Sequence, residues 1–119
     1  MLNLDTHIVV KSLDGSLKPR EASLIGANDC GISAIVLWEI QMLSMHGRIG
    51  IDLHTPDLLN AISRLVVWPL DTEVCRRMSD LDFESDPADM IIAATSLAHG
   101  VPLLTRDKRI ASSSVVPLA

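Results

Sequence analysis

DPADMIIAATSLAHGVPLLTRD, residues 86–107, holds a complete helix-to-strand unit. Asp86 stands as an N-cap, Pro87 at the first helical position and Asp89 at the third, so both carboxylates can meet orphan N–H groups at the positive end of the dipole. Met90 to Ala98 is apolar at helical spacing, and Gly100 supplies the residue that closes such a helix. Val101 to Leu104 is short and apolar, a strand, and Thr105-Arg106-Asp107 ends it on polar side chains before a short helical turn.

The same alternation extends outward. Met1 to Leu4 predicts a strand ending in Asp5-Thr6, then an amphipathic helix from His7 to Leu13 that stops at Asp14-Gly15-Ser16. A second strand covers Cys30 to Ser33, with Ser33 capping a helix from Ala34 to His46, where Ile35, Trp38, Met42 and Met45 recur at helical spacing. Thr55-Pro56-Asp57 opens a helix through Leu65, and Val66-Val67-Trp68 is a third strand. Asp71-Thr72 starts another helix to about Leu81, and Val115 to Leu118 reads as a final strand. Strands alternating with helices imply an α/β fold, a mostly parallel sheet of about five strands with helices on both faces. Without repeat, linker or low-complexity tract, residues 1–119 make one domain.

A chain of 119 residues can bury roughly two-thirds of its unfolded surface. No apolar run reaches the ~18 residues of a membrane span, and MLNLDTH has neither basic n-region nor cleavage site, so a cytoplasmic protein is expected. Cys30 and Cys75 lack zinc-ligand spacing and read as buried thiols. A net charge of −5 argues against nucleic acid unless carboxylates hold metal; two divalent cations would bring −5 to −1.

In an open α/β sheet, ligands bind beyond the carboxyl ends of the strands, near the switch point. Two strands end there in a hydroxyl beside an aspartate: Asp5-Thr6 and Thr105-Arg106-Asp107. If these strands are neighbours, both aspartates enter one crevice. Glu39 is an acid in an otherwise apolar helix, and Asp89 opens the helix before the fourth strand. Singly, each has an ordinary explanation as a turn, capping or solvated residue. Together, Asp5, Glu39, Asp89 and Asp107 would repel one another without cations, and hard cations such as Mg2+ or Mn2+ prefer oxygen ligands. Such a site suits phosphodiester hydrolysis.

The segments LDTH (4–7), SAIVLWEIQMLSMHGRI (33–49) and the opening block (86–107) resemble the PIN domain, specifically the VapC-like ribonuclease toxins, over about Leu2 to Ile110. The resemblance implies a three-layer α/β/α fold and Mg2+- or Mn2+-dependent endoribonuclease activity. It puts the catalytic, metal-holding quartet on Asp5, Glu39, Asp89 and Asp107, with Asp86, Thr6 and Thr105 as accessory groups. It also implies RNA as substrate and an antitoxin partner whose C-terminal segment lays apolar anchors in a groove. Where the family usually has an aromatic and then an arginine around its second aspartate, this chain has Ala88 and Met90. Arg106 or Arg109 could supply a phosphate contact instead.

A haloacid-dehalogenase-like phosphatase would need a second aspartate at position 7, where His7 stands. The competing reading is a non-catalytic PIN-like scaffold for a partner. Trp38, Met42, Met45, Leu58, Leu59 and Trp68 exceed the apolar surface that so small a domain can bury alone, and predict a homodimer. Phe83 is the sole phenylalanine and tyrosine is absent, so no base-stacking platform is evident.

Overall fold

The structure, a computed structural model, describes residues 1–119. Its elements run β1 (Leu2–Leu4), α1 (Thr6–Asp14), α2 (Pro19–Ala27), β2 (Cys30–Ser33), α3 (Ala34–Met45), α4 (Pro56–Ser63), β3 (Val66–Trp68), α5 (Thr72–Arg77), a 3-10 turn (Met78–Asp80), α6 (Pro87–His99), β4 (Leu103–Leu104) and α7 (Lys108–Ala111). The four strands form one parallel sheet in the order β3-β2-β1-β4. Helices flank it, as an α/β fold requires.

The expected fifth strand, Val115 to Leu118, shrinks to a single parallel bridge between Leu103 and Leu118. Leu103 N–H donates to the Pro117 carbonyl and Ala119 N–H to the Leu103 carbonyl. The next rung toward Val115 needs an N–H from position 117, and proline has none. The helix α2 is an addition to the expected elements. Its signals are Pro19 at the first turn and Glu21 at the third position, where the carboxylate accepts the Lys18 N–H at 2.7 Å.

Ile8, Ile32, Val36, Ile40, Leu58, Ile92, Leu103 and Ile110 are fully or almost fully buried and hold the sheet to its helices. Leu58 and Trp68 therefore belong to the interior and drop out of the six apolar residues from which an interface was expected to draw; the first anchors α4 in the core. Trp68 stacks on His99 with ring centroids 5.2 Å apart and lies over Gly31, where an added Cβ would come within 2.7 Å of the indole. Trp38, Met45 and Leu59 stay exposed. Cys30 is buried, but Cys75 is exposed, because on α5 it follows Val74, whose side chain takes the inward position.

Asn3, in the middle of β1, is wholly buried and donates its amide to the Ile92 carbonyl at 3.1 Å and to the Ser96 hydroxyl at 2.9 Å. These two bonds fix α6 against the central strand. The register of Asp5 relative to Asp89 follows from that link.

Candidate active site at the ends of β1 and β4

From β1 the chain proceeds to β2 and β3 on one side and returns to β4 on the other, so the sheet's switch point lies between β1 and β4. A crevice opens at such a point beyond the carboxyl ends of the strands. Both strands end there in the residues singled out above.

Asp5 is 2% exposed, and its two oxygens have separate partners. One accepts the Thr6 N–H at 2.7 Å as the N-cap of α1; the other accepts the Thr105 hydroxyl at 2.5 Å. The Thr105 oxygen in turn accepts the Asp107 N–H at 3.0 Å. Asp107 caps α7, taking the N–H groups of Arg109 and Ile110 at 2.8 and 3.1 Å. On the other side Thr6, fully buried, donates its hydroxyl to Glu39 on α3. Glu39, Thr6, Asp5, Thr105 and Asp107 thus form one connected polar string.

Asp89 enters through its field. Its carboxylate accepts the Ser85 hydroxyl at 2.8 Å and no backbone N–H, so it does not serve as a hydrogen-bonded cap. Asp86, the N-cap residue, also makes no side-chain capping bond. Burial pushes Asp89 up to about 6, with further upward pressure from the charges of Asp86, Asp5 and Asp107 outweighing the Ser85 bond. Burial likewise raises Asp5, against the opposing bonds from Thr105 and Thr6, and the Asp107 charge adds to the rise. No member of the quartet is ion-paired with lysine or arginine. As they stand, no three acidic, histidine or cysteine side chains enclose a metal-sized point.

Arg106 points elsewhere. Its guanidinium grips the Glu21 carboxylate through two bonds, Nε at 2.7 Å and a terminal nitrogen at 2.6 Å, and reaches the Ser16 carbonyl at 3.1 Å. The Arg106 guanidinium and the Lys18 N–H hold buried Glu21 down at about 2. Arg106 is therefore spent on α2 and does not face the crevice as a phosphate ligand, while Arg109 donates to the Glu84 carbonyl at 2.9 Å. Glu21 and Ser85 escaped the sequence reading. The first was announced by its place three residues into a proline-started helix, and the second only by its spacing of four from Asp89.

Glu39 and Asp86 open onto a cleft of about 340 Å³ that Trp38, His46 and Arg48 also line. A larger cavity, about 460 Å³, lies at the opposite rim of the sheet among Met1, Asp29 and Val66, remote from the acids. Chemistry decides between them: Glu39 and Asp86 line the former, whereas no member of the quartet lines the latter.

Residues 3–114 match the family described as PIN domain. The chain belongs to the PIN-domain family. Among solved structures this PIN domain is similar in fold to a chain of VapBC2 from Rickettsia felis bound to a promoter DNA fragment. There the TM-score is 0.77 at 20% identity, over 100% of this chain and 98% of that one. It is similar also to a chain of a toxin–antitoxin complex from Klebsiella pneumoniae, with TM-score 0.72 and 17% identity over 100% and 97% of the two chains. DNA-bound VapBC from Salmonella typhimurium gives 0.71 and 21% over 99% and 96%. A search of curated proteins finds no match. No helix of the PIN domain is long and apolar enough to cross a membrane.

Proposed function

We propose that the protein is a divalent-metal-dependent endoribonuclease acting in the cytoplasm as the toxin of a toxin–antitoxin pair, with Asp5, Glu39, Asp89 and Asp107 as its catalytic acids. The observation that carries this is the convergence of carboxylates without a basic partner at the switch point of a PIN domain. PIN domains are generally nucleases that use divalent metals, and solved complexes of similar fold are toxin–antitoxin assemblies.

The donor set fits Mg2+ or Mn2+: oxygen ligands only, with burial and mutual repulsion raising Asp5 and Asp89, so added positive charge at this place is stabilising. Such ions would supply charge neutralisation at the phosphoryl group and a lowered pKa for the attacking water. The chain's own residues do the positioning. Thr105 and the Thr6 N–H fix both oxygens of Asp5, Thr6 orients Glu39, and the α7 N–H groups fix Asp107. Asp86 and Ser85 set the charge and orientation of Asp89. These groups do not enclose a cation as they stand, so holding one would require their side chains to move.

An antitoxin and a second copy of this chain are the partners this reading calls for. Exposed Trp38, Met45 and Leu59 are the apolar surface available to them. The test is RNA cleavage with Mg2+ or Mn2+ against EDTA, with Asp5→Asn as the control for contaminating nuclease. Metal binding without cleavage would favour the non-catalytic scaffold.

A further inference from the structure

One buried side-chain polar atom in the fold has no partner: Oδ1 of Asn3, in the middle of β1. The orientation of its amide is fixed by chemistry, since the Ile92 carbonyl can only accept and must therefore face Nδ2. The same nitrogen donates to the Ser96 hydroxyl at 2.9 Å. An amide wholly removed from solvent with its oxygen unmatched is a poor source of stability, because a buried acceptor without a donor forfeits its hydration and gains nothing in return. A leucine at this place would incur no such penalty.

What the amide supplies is direction. Ile92, Ala93, Ala94, Thr95 and Ser96 are all fully buried. Such a run covers more than one turn, so α6 has no solvent face here to set its rotation. Apolar burial is non-directional, and the two alanines offer no large side chain to interlock with the sheet. Thr95 turns its hydroxyl back to the Ile91 carbonyl of its own helix. The two bonds from Asn3 are the only side-chain hydrogen bonds joining α6 to the sheet.

Those bonds act on the acids through geometry. Asn3 and Asp5 are two apart on extended backbone, so they point to the same side of the sheet, the side of α6. Asp89, Ile92 and Ser96, spaced by three and then four, lie along one stripe of the helix. Asp5 stands about 6.6 Å beyond Asn3 along the strand. Asp89 stands about 4.5 Å beyond Ile92 and about 10.5 Å beyond Ser96 along the helix axis, toward the same end of the sheet. The link thus brings the two carboxyls to one level on facing surfaces, and the Asp5 charge is felt at Asp89. A slip of one residue would turn the stripe by about 100° and carry Asp89 away from Asp5.

We propose that Asn3 and Ser96 are positioning residues that set the rotation and depth of α6, at a cost in stability, so that Asp89 meets Asp5 across the crevice. The proposal rests on the nuclease reading and names what aligns two of its four acids.

Two doubly substituted chains remove the link without leaving a buried polar side chain unpaired: Asn3→Leu/Ser96→Ala and, should leucine overfill the site, Asn3→Val/Ser96→Ala. At least one is expected to melt in EDTA no lower than wild type, since polar partners replaced together by apolar groups cost little, and a core refilled with apolar side chains loses uniqueness before stability. In that metal-free variant the methyl resonances of Ile92, Ala93 and Ala94, single in wild type, broaden or double. Mn2+ binding by calorimetry weakens roughly 10–100-fold. Asp89→Asn, which weakens Mn2+ binding in the wild-type background, adds little to that loss in the variant, where the carboxylate is already out of place. In RNA cleavage kcat falls while KM for RNA holds.

If both variants melt well below wild type, the pair is an ordinary structural link and the proposal is overturned. Single α6 methyl signals with wild-type Mn2+ affinity would overturn it too, as would an Asp89→Asn loss undiminished in the variant. Each of those results leaves the nuclease reading standing. A wild-type chain that neither binds Mn2+ nor cleaves RNA, with α6 signals still doubling in the variant, would remove the nuclease reading and keep Asn3 as the residue that sets α6.

Discussion

The hydroxyl of Thr105 bonds Asp5 at 2.5 Å across 100 positions of sequence. β1 and β4 run parallel and adjacent, with Leu4 opposite Leu104, so the residues just past their ends must meet. Thr105 also takes the Asp107 N–H, which makes one hydroxyl the joint between the two aspartates. The bond acts against the burial that raises Asp5. Thr105→Val, close in volume but without the hydroxyl, should push the Asp5 carboxyl further up and weaken Mn2+ binding, read by calorimetry at constant pH. Affinity equal to wild type would show that Thr105 only fills space.

Carboxylates that hold a cation enter the transition state through both charge and geometry, so losing one costs orders of magnitude in rate. Asp5→Asn, Glu39→Gln, Asp89→Asn and Asp107→Asn should each abolish growth arrest on expression and metal-dependent cleavage in vitro. Asp57→Asn and Asp71→Asn should not: Asp57 is an exposed residue in the first turn of α4, and Asp71 caps α5 with a bond to Val74 N–H that asparagine can also make. A fully toxic Asp5→Asn variant would refute the assignment.

Much of this site was legible because strand ends are local signals. Asp5 and Asp107 each follow a short apolar run, and parallel pairing of β1 with β4 is enough to bring them together. Asp89 was harder, since Asp-Pro-Ala-Asp is also a sound helix start; in the fold Asp86 makes no side-chain capping bond and Asp89 accepts only the Ser85 hydroxyl. The sequence alone leaves Arg106 open to phosphate because its partner, Glu21, lies 85 positions away on a helix signalled by little more than a proline and a glutamate. The last strand failed for a local reason, the missing N–H of Pro117. Trp38 could not be told from a core tryptophan by helical spacing, whereas burial separates it at once from Trp68.

Glu21 and Arg106 tie α2 to the loop that carries Thr105 and Asp107. Glu21 sits near 2 in the folded chain against an ordinary 4.5. A depressed carboxyl contributes its stability above the unfolded value, and that contribution is lost as pH falls from about 4.5 through 2. Glu21→Gln should therefore be less stable than wild type at pH 7, and the two melting curves should converge toward pH 2. A constant difference across that range would mean the ion pair is not its source.

Gly31 has no room for a side chain: a Cβ would meet the Trp68 ring at 2.7 Å and the Val66 carbonyl at 2.9 Å, the latter fixed by the β2–β3 ladder. Gly31→Ala must displace the indole from His99 or part the strands. Overpacking of this kind costs about 1–3 kcal/mol, or roughly 4–12 °C of Tm in a domain this size. Near-UV circular dichroism from the Trp68 stack should fall in parallel. Unchanged melting with an intact tryptophan signal would show that the backbone yields freely.

Asp89 supplies the sharpest separation between a metal ligand and a helix cap, because the two roles differ in the sign of a stability change. Its folded value of about 6 against an ordinary 3.8 means that the folded state takes up the proton more readily. A raised carboxyl contributes stability below 3.8 that is lost as pH climbs through 6, so the metal-free protein at pH 7.5 carries the whole penalty. After screening at a partly exposed group, that penalty is about 1–2 kcal/mol, against about 0.3–1 kcal/mol from the favourable helix dipole. That penalty, chiefly of burial with the neighbouring carboxylates adding to it, outweighs the dipole, and Asp89→Asn in EDTA should be more stable than wild type at pH 7.5, with the gap closing toward pH 4. Mn2+ reverses the order. A ligand of the folded state alone adds about 2.7 kcal/mol at a hundredfold excess over Kd, and the variant should lose most of that gain. Melting both proteins in EDTA and in millimolar Mn2+ across this pH range reads every term. A variant less stable in EDTA at pH 7.5, with an undiminished Mn2+ shift, would return Asp89 to the helix dipole and leave the crevice to Asp5, Glu39 and Asp107.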